Sequence, residues 1–440
     1  MIGLKRKIKE GKMLFKKSRK FMVIGIDGVP HELIKDFVQK GIMPNFKRLI
    51  ERYKFIRTQV PVPEVSSVSW TSFMTGMNPG EHGIYGFMEI NKKNYGYRFP
   101  TFPLLPVKTI WEKIGEKGKK SIIINLPNTY PVRKINGYLI SGFVALDLEN
   151  AVYPKEFLSY LKKLDYKVDV DTALGRSDKK FFLKELHDTL DKRFSVYKKL
   201  DKEKWDLFFF IITGTDRLHH FLFKAKDDEK HENQKDFEDY YRHVDSVIGK
   251  ITEEMEKRGI PFIILSDHGF TSLKYEVYIS QYLKEWGYLD FEDENPKNLK
   301  SIKETSQAFA LDPSRVYINL KDKYGKGSVD QKDYEKLRLE LKERFLSIEI
   351  EGEKVIKNVF FKEDIYSGQF FDNAPDIVLL SNYGFDLKAG ITKKEKYSIS
   401  FFEGMHAQDN ALLLDSYGFD LEKHPYINDI GKELEKYFLK

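Results

Sequence analysis

The chain has 440 residues, of which 41% are hydrophobic, 14% are aromatic and none is cysteine. This composition is that of a folded globular protein, and it excludes disulfides, thiolate metal sites and cysteine nucleophiles. The net charge is +7, but the first 20 residues hold nine Lys or Arg against one Glu, which leaves the rest of the chain at −1. No specific nucleic-acid partner is therefore predicted.

Residues 1–20 form a basic leader in which apolar side chains, such as Ile8 and Phe15, are interleaved with the charges. Two interpretations stay open for this leader: a solvated terminus, or an amphipathic helix in peripheral contact with an anionic membrane surface. No apolar run is long enough for the core of a signal peptide or for a transmembrane helix. We therefore expect a cytoplasmic protein.

From residue 21 onward, apolar runs of strand length alternate with amphipathic segments. The runs are FMVIGI (21–26), SIIIN (121–125), LFFFII (207–212), FIIL (262–265), DIVLL (376–380) and ALLLD (411–415). Apolar residues at helical spacing predict a long helix around residues 236–258 and a closing helix from about residue 427. Continuous apolar strands that alternate with helices predict an α/β fold, with a mostly parallel central sheet and helices on both faces.

Two stretches interrupt this alternation. Residues 144–204 are charged and helical, and residues 286–372 mix a polar patch, a short strand and a charged helix. We expect both to be cap elements that shape access of the substrate. The predicted organisation is the basic leader at 1–20, a metal-binding α/β core at 21–285 and 373–440, and an inserted cap subdomain at 286–372.

Aspartate and histidine residues form four short clusters, three of which directly follow a predicted strand. The clusters are Asp27 in VIGIDG, Asp216 and His220 in TDRLHH, Asp267 and His268 in LSDHG, and His406 in GMHAQDN. Ligand sites of open α/β sheets lie outside the carboxyl ends of the strands, so these side chains are expected to converge. Oxygen and imidazole donors in this number suit two divalent ions, zinc or manganese.

A hydroxyl-rich segment with a helical pattern follows Pro63 and contains Ser66, Ser67, Ser69 and Thr71. A hydroxyl at the N-terminus of a helix lies beside free backbone N–H groups that also bind phosphoryl oxygens. The same residue types are the ordinary N-caps of helices. From the residues alone, a nucleophile and a set of capping hydroxyls both remain open.

An ordered set of motifs carries a family resemblance over nearly the whole chain after the leader. The motifs are IGIDG, MPNFKRLIE (43–51), WTSFMTGMNPGEHGI (70–84), TIWEKIGEKGKKSIIINLPNTYP (109–131), TDRLHH, SDHGF, APDIVLL (374–380) and GMHAQDN. The set resembles the type I phosphodiesterase/nucleotide pyrophosphatase branch of the alkaline phosphatase superfamily. The resemblance implies an alkaline-phosphatase-like fold and a two-metal hydrolase that acts on a small phosphoester through a phosphoseryl intermediate.

The resemblance also assigns the metal ligands, with zinc as the expected metal and manganese as the alternative. One ion would be held by Asp216, His220 and His406. The other would be held by Asp27, Asp267 and His268, with the nucleophile oxygen beside it.

The family nucleophile precedes the Thr of a Thr-Gly pair, here Thr75-Gly76, by nine residues, which gives Ser66. Ser69 takes the place of an Asn that holds a phosphoryl oxygen in nucleotide pyrophosphatases, and Ser67 is a further candidate for that role. His406 is followed by Ala407 where the branch usually has Arg. These departures leave the metal ligands intact but alter the expected substrate preference.

Other functions within the superfamily are a cofactor-independent phosphosugar mutase or a phosphomonoesterase. A sulfatase is disfavoured, since Val68 and Trp70 stand where sulfatases have Pro and Arg after the nucleophile. A non-enzymatic alternative is a membrane-surface scaffold that has kept the fold, but every metal position carries a competent ligand.

Overall fold

The computed structural model describes residues 20–439. Apart from Lys20, the basic leader lies outside these residues, so its contact with a membrane stays a prediction. Within the described part of the chain, no helix is both long and apolar enough to cross a membrane.

An eight-stranded sheet forms the centre of the molecule. Its strands, in spatial order, are Lys54–Thr58, Ala411–Asp415, Phe262–Leu265, Phe21–Ile26, Leu207–Ile212, Ser121–Leu126, Gly137–Ser141 and Val152–Tyr153. The five strands from Phe262–Leu265 to Gly137–Ser141 pair in parallel, and the remaining pairs are antiparallel. The predicted mostly parallel α/β fold is confirmed.

Helices cover both faces of this sheet, as predicted for strands that are apolar throughout. The α-helices are His31–Gln39, Pro44–Ile50, Ser66–Thr75, Pro79–His82, Ile110–Gly115, Leu158–Lys163, Leu174–Ser177, Lys179–Leu200, Gly214–Leu222, Gln234–Arg258, Ile279–Glu285, Tyr334–Leu346, Lys362–Ile365 and Ile427–Leu439. Alternate side chains of the strand Phe21–Ile26 pack into two different apolar cores. Met22 and Ile24 lie in one core, and Phe21 and Val23 lie in the other. The sheet is therefore a buried layer with separate apolar packing on each side.

The register of the three central strands determines where the site forms. Ile26 is paired with Ile212, and Gly25 with Leu265. Because these strands run in parallel and end at the same level, the residues that follow each of them emerge at one edge of the sheet. Asp27 is the first residue beyond the strand Phe21–Ile26, and Asp267 is the second beyond Phe262–Leu265.

A second apolar core lies among residues 277–391 and includes Tyr95 from outside that range. Its four-stranded sheet has the order Ala308–Leu311, Arg315–Ile318, Ile377–Ser381 and Ile356–Phe361. The strand Ile377–Ser381, which the sequence led us to place in the core after residue 372, belongs to this second sheet. We call the second core and its four-stranded sheet the cap unit; its strands come from both sides of residue 372.

The remaining strands form four small sheets among the residues described. They comprise Gly269–Ser272 with Gly404–Ala407; Tyr275–Tyr278 between Phe385–Lys388 and Tyr397–Ile399; Glu349–Ile350 with Glu353–Lys354; and Glu89–Ile90 with Tyr97–Arg98.

The segment 144–204 differs from the cap element expected from its charge. Its main helix, Lys179–Leu200, buries Phe182, Leu186 and Leu190 in the same core as the central sheet. These apolar residues at helical spacing outweigh the charged positions between them, so the helix is one of the layers that cover the sheet.

Replacement of Gly25 by Ala should show how tightly the sheet packs beneath the site. A Cβ at this position would lie 2.5 Å from Cη2 of Trp70 and 2.6 Å from Cδ1 of Ile211. Overpacking of this kind typically lowers the free energy of unfolding by about 1–3 kcal/mol. We expect a loss in that range for Gly25→Ala, measured by urea unfolding.

The matched control is Gly115→Ala, on a helix that flanks the sheet. Its nearest neighbour to an added Cβ is Cβ of Asn136 at 3.7 Å, which is ordinary van der Waals contact. Since Ala favours a helix over Gly by up to about 1 kcal/mol, this variant should be neutral or stabilised. Equal losses in the two variants would contradict the packing argument.

Candidate functional site

All four predicted clusters meet at the carboxyl edge of the central sheet. Asp216 and His220 lie one turn apart on the helix Gly214–Leu222, which follows the strand Leu207–Ile212. His406 reaches the same place on the strand Gly404–Ala407, where it is paired with Phe270. This pairing sets its ring against that of His268, with the ring centroids 3.8 Å apart.

The first group of potential metal ligands consists of Asp27, Asp267 and His268. The Nε2 atom of His268 lies 3.6 Å from Oδ1 of Asp27 and 3.4 Å from Oδ2 of Asp267. One ligand atom from each residue falls within 4.8 Å of the others. All three side chains are buried, with at most 3% of their surface exposed.

The second group consists of Asp216, His220 and His406. Oδ1 of Asp216 lies 3.2 Å from Nε2 of His406 and 3.4 Å from Nε2 of His220. The two imidazole Nε2 atoms are 3.1 Å apart. His268 also comes within 4.8 Å of Asp216 and His406. The two groups are therefore contiguous.

The donors of these groups fit metal ions better than they fit one another. Oδ1 of Asp216 and Oδ2 of Asp267 are buried oxygens without a hydrogen-bond partner in the residues described. Such oxygens are rare in folded proteins unless a ligand satisfies them. Carboxylate oxygens and imidazole nitrogens directed at common points are the ligands that divalent transition metals use.

Backbone carbonyls orient two of the imidazoles. Nδ1 of His268 lies 3.0 Å from the carbonyl oxygen of Gly269, and Nδ1 of His406 lies 2.9 Å from that of Glu64. A carbonyl only accepts, so each Nδ1 carries the proton and donates it. Each Nε2 is then left unprotonated and faces the site, as a metal-binding histidine requires.

The negative charge of the buried carboxylates in the site is not balanced by the protein groups around them. Burial, together with the negative charges of Asp267 and Asp216, raises the pKa of Asp27 well above its usual value. Burial raises the pKa of Asp267 to about 7 and lowers that of His268 to about 4. Bound cations would offset the repulsion among these carboxylates and keep them ionised.

Asp216 is the exception, since the groups that contact its carboxylate favour the ionised form. Burial alone would raise its pKa, but His220, His406 and Arg217 together lower the pKa well below its usual value. Nη1 of Arg217 donates to Oδ2 of Asp216 at 2.9 Å. This contact occupies one carboxylate oxygen and leaves Oδ1 facing the histidines.

Arg217 is a residue of the site that the sequence did not reveal. Its guanidinium also donates to Oδ2 of Asp169, from Nε at 2.9 Å and from Nη2 at 2.6 Å, and it lies 4.3 Å from the ring centre of Phe143. Arg217 lies within the motif TDRLHH, so its type was visible in the sequence. Its partner Asp169 is 48 positions away in sequence, which no local pattern indicates.

Two further contacts fix the aspartates of the first group. The indole Nε1 of Trp70 donates to Oδ2 of Asp27 at 3.1 Å, and the backbone N–H of Gly28 donates to Oδ1 of Asp267 at 3.1 Å. Each of these aspartates is thus held through one oxygen. The other oxygen is directed at Nε2 of His268.

Ser66 is the first residue of the helix Ser66–Thr75 and lies beside the first group of ligands. Its Oγ is 3.2 Å from Nε2 of His268 and 3.4 Å from Oδ1 of Asp27. The N-cap of this helix is Val65, and no side chain caps the helix. Ser66 therefore does not serve as the N-cap.

Ser67 and Ser69 are placed differently from Ser66. Both side chains are buried, and neither Oγ has a hydrogen-bond partner among residues 20–439. A cavity of about 150 Å³ opens over the ligand groups and is lined by Ser66 but by neither of these two. Phe87, Phe143, Arg217 and His406 are among its other walls. We call it the reaction cavity.

An adjoining cavity of about 220 Å³ shares Phe87, His220 and His406 with the reaction cavity. Its remaining walls come mainly from the cap unit, and they include the ion pair between Lys388 and Asp386 at 2.7 Å. This second space therefore lies on the side of the site where His220 and His406 stand. A substituent attached to a group in the reaction cavity has room there.

Two other histidines, His219 and His82, are buried and have structural partners. Nδ1 of His219 lies 2.9 Å from the carbonyl oxygen of Gly28, and its Nε2 lies 2.7 Å from the hydroxyl of Tyr241. His82 instead contacts Oγ of Ser72, at 2.9 Å. Burial lowers the pKa of both histidines to about 3, which keeps them neutral.

The three-dimensional fold is shared with solved phosphoester- and phosphonate-cleaving enzymes. Phosphonoacetate hydrolase from Sinorhizobium meliloti, in complex with phosphonoacetate, is 14% identical with a TM-score of 0.66, over 95% of each chain. Murine ectonucleotide pyrophosphatase/phosphodiesterase 5, an inactive variant in complex with AMP, is 13% identical with a TM-score of 0.55. That alignment covers 95% of this chain and 94% of the murine chain. At these identities the likeness establishes the fold.

The sequence comparisons establish the family. Comparison with curated proteins gives no significant match. The family model of type I phosphodiesterase/nucleotide pyrophosphatase, in contrast, matches residues 21–409, which is most of the chain. The protein therefore belongs to the type I phosphodiesterase/nucleotide pyrophosphatase family and is a phosphoester hydrolase with the alkaline phosphatase fold.

Proposed function

We propose that this protein is a two-metal phosphodiesterase that works through a phosphoseryl intermediate on Ser66. The observation that carries the proposal is the position of Ser66 Oγ, 3.2 Å from His268 Nε2 and 3.4 Å from Asp27 Oδ1 at the start of a helix. In this place the hydroxyl adjoins the first group of ligands and opens into the reaction cavity.

The residues that would hold the metals follow from the two groups of side chains. One ion would be bound by Asp27, Asp267 and His268. The other would be bound by Asp216, His220 and His406. Zinc suits these carboxylate and imidazole ligands best, and manganese is the alternative. When bound, such ions lower the pKa of an adjacent hydroxyl and stabilise charge on phosphoryl and leaving-group oxygens.

The two chemical steps can be written on the chain's own residues. Ser66 Oγ loses its proton and forms a bond to phosphorus as the P–O bond to one ester group breaks, and that group takes up a proton and leaves as an alcohol. Water then attacks the phosphorus, the bond to Ser66 Oγ breaks, and the phosphomonoester that keeps the second ester group is released as the Ser66 hydroxyl is restored. The first turn of the helix Ser66–Thr75 places free backbone N–H groups and the positive end of the helix dipole beside the phosphoryl oxygens.

The charge of the site favours a diester over a monoester. Three aspartates and the Ser66 alkoxide carry four negative charges, which two divalent ions neutralise. Arg217 adds one positive charge, but its ion pair with Asp169 at 2.6 Å cancels it. A neutral site accepts the single charge of a phosphodiester more readily than the double charge of a phosphomonoester. The adjoining cavity gives room for the second ester group.

The two similar proteins of known structure were solved with ligands of different size. One is described with phosphonoacetate and the other with AMP, so this fold accommodates both a small phosphonate and a nucleotide. A phosphosugar mutase or a phosphomonoesterase remains the alternative within the superfamily. Neither alternative has a specific contact in its favour in the structure described.

Removal of the Ser66 hydroxyl should abolish catalysis without loss of metal. Ser66→Ala should lower the turnover of bis-p-nitrophenyl phosphate by about three orders of magnitude or more, since the covalent path is lost. The metal content, measured by inductively coupled plasma mass spectrometry, should match that of the wild type.

Ser67→Ala and Ser69→Ala are the matched controls for this variant. Their hydroxyls are buried outside the reaction cavity, so both variants should keep turnover within about tenfold of the wild type. If Ser66→Ala keeps near-normal turnover and one of the controls loses most of it, the serine replaced in that control is the nucleophile instead.

Substitution of His406 should remove one metal ion and spare the other. His406→Ala deletes a ligand of the second group only, so the bound metal should fall from two equivalents to about one after dialysis. His243→Ala is the control, because His243 contacts His187 and Asp191 outside the site. Full metal content in His406→Ala would contradict the assignment of ligands.

A further inference from the structure

A cavity of about 320 Å³ beside the cap unit shares no lining residue with the reaction cavity or the adjoining cavity. The loop after His82 and the hairpin Glu89–Arg98 form one side of it. The cap unit forms the other, with Arg315, Tyr317 and Tyr324. We call it the hairpin cavity.

Arg315 forms part of the wall and is a buried cation without an acidic partner. The side chain has no exposed surface, and no carboxylate oxygen of residues 20–439 lies within 4.0 Å of its guanidinium. Nε and Nη2 both donate to the backbone carbonyl of Asp312, and Nη1 has no hydrogen-bond partner in the part of the chain that the structure describes. Buried charges in folded proteins are normally paired, so this arrangement is unusual.

A second cation in the same wall also lacks an ion pair. Nζ of Lys92 donates to Oδ1 of Asn373 at 2.7 Å, and no carboxylate of the described residues lies within 4.0 Å of it. The nearby Asp372 lies beyond that distance. Burial lowers the pKa of Lys92, and the charges of Asp372, Asp376 and Glu89 only partly offset this effect.

The lining as a whole has an excess of positive charge. Arg98 is the third cation, and it is paired with Glu89, whose carboxylate is the only acidic group among the lining residues. Three cations against one carboxylate leave a net charge of +2 in the wall. The remaining walls are mostly uncharged and include four aromatic side chains, Tyr85, Tyr317, Tyr324 and Phe370. Such a lining disfavours metal cations and favours an anion.

We propose that the hairpin cavity is a second ligand site, which binds a phosphate-type oxyanion between Lys92 and Arg98, with Arg315 supplying positive charge from the wall behind. Tetrahedral oxyanions accept hydrogen bonds from ammonium and guanidinium groups in this arrangement. The volume also accommodates an organic group attached to the oxyanion, in contact with the tyrosine rings.

The turn at Asp312 connects this site with the catalytic one. Arg315 holds the backbone carbonyl of Asp312, and Asp312 together with Ser314 lines the adjoining cavity beside His220 and His406. An anion in the hairpin cavity thus contacts one side of a wall whose other side faces the substrate. The site stands independently of the proposed reaction, because none of its residues belongs to the reaction cavity.

The test is calorimetric titration of the metal-loaded full chain with inorganic phosphate. Lys92→Met removes one of the two wall cations that have no ion pair among residues 20–439, and Lys93→Met removes the neighbouring exposed lysine, which does not line the cavity. We expect Lys92→Met to lower the affinity of one class of phosphate sites by at least tenfold. Lys93→Met should leave that affinity unchanged. Competitive inhibition of bis-p-nitrophenyl phosphate hydrolysis by phosphate should be the same in both variants.

The same titration with AMP distinguishes the sources of the oxyanion. If Lys92→Met lowers the affinity for phosphate tenfold, the site binds the free ion. If it lowers the affinity for AMP alone, the site binds a phosphoryl group on a larger molecule. Identical binding of both ligands to Lys92→Met and Lys93→Met would overturn the proposal. That outcome is distinct from a failure of the hydrolysis assay, which bears only on the catalytic site.

Discussion

The burial of three aspartates at one edge of the central sheet is the constraint on which the rest of the site depends. Asp27, Asp216 and Asp267 have at most 4% of their surface exposed, and they repel one another in a medium of low dielectric constant. The protein groups around them do not fully compensate this charge, since burial still raises the pKa of Asp27 and Asp267. In the proposed function, divalent cations supply the missing charge, and the histidines are neutral ligands whose Nε2 atoms face the same points.

A layer of contacts behind the ligands determines which oxygen of each aspartate is free. Trp70 holds one oxygen of Asp27, the N–H of Gly28 holds one of Asp267, and Arg217 holds one of Asp216. In each case the opposite oxygen faces an imidazole nitrogen. The packing of Gly25 under Trp70 extends this layer into the sheet, so the position of Asp27 depends on the core as well as on its own strand.

Much of this arrangement was predictable from the sequence, because it follows from the ends of parallel strands. The apolar runs at residues 21–26, 207–212 and 262–265 are fully buried strands in the structure, and the clusters that follow them meet at one edge. The spacing of Asp216 and His220 likewise predicted a helix that presents both on one side. These features depend on local patterns and on a general rule of α/β sheets.

Other features depend on contacts between distant segments and were not predictable in this way. The ion pair of Arg217 with Asp169 joins a helix of the site to the segment 144–204, which the sequence suggested to be a cap. The apolar run at 376–380 was correctly taken as a strand, but an apolar run does not tell which of two sheets it joins. The local pattern of Ser66, Ser67 and Ser69 does not distinguish their hydroxyls, and only the family spacing singled out Ser66. The structure adds that, of the three, only Ser66 lines the reaction cavity.

The covalent role of Ser66 is the central claim, and trapping of the intermediate tests it most directly. The metal-loaded protein would be mixed with excess bis-p-nitrophenyl phosphate and quenched in acid, and its peptides would then be analysed by mass spectrometry. We expect one p-nitrophenyl phosphoryl group on Ser66, since only one of the two ester groups leaves in the first step. A burst of p-nitrophenol equal to the enzyme concentration should accompany it if hydrolysis of this seryl phosphodiester is the slower step. Phosphorylation of a different residue during turnover would contradict the covalent role of Ser66.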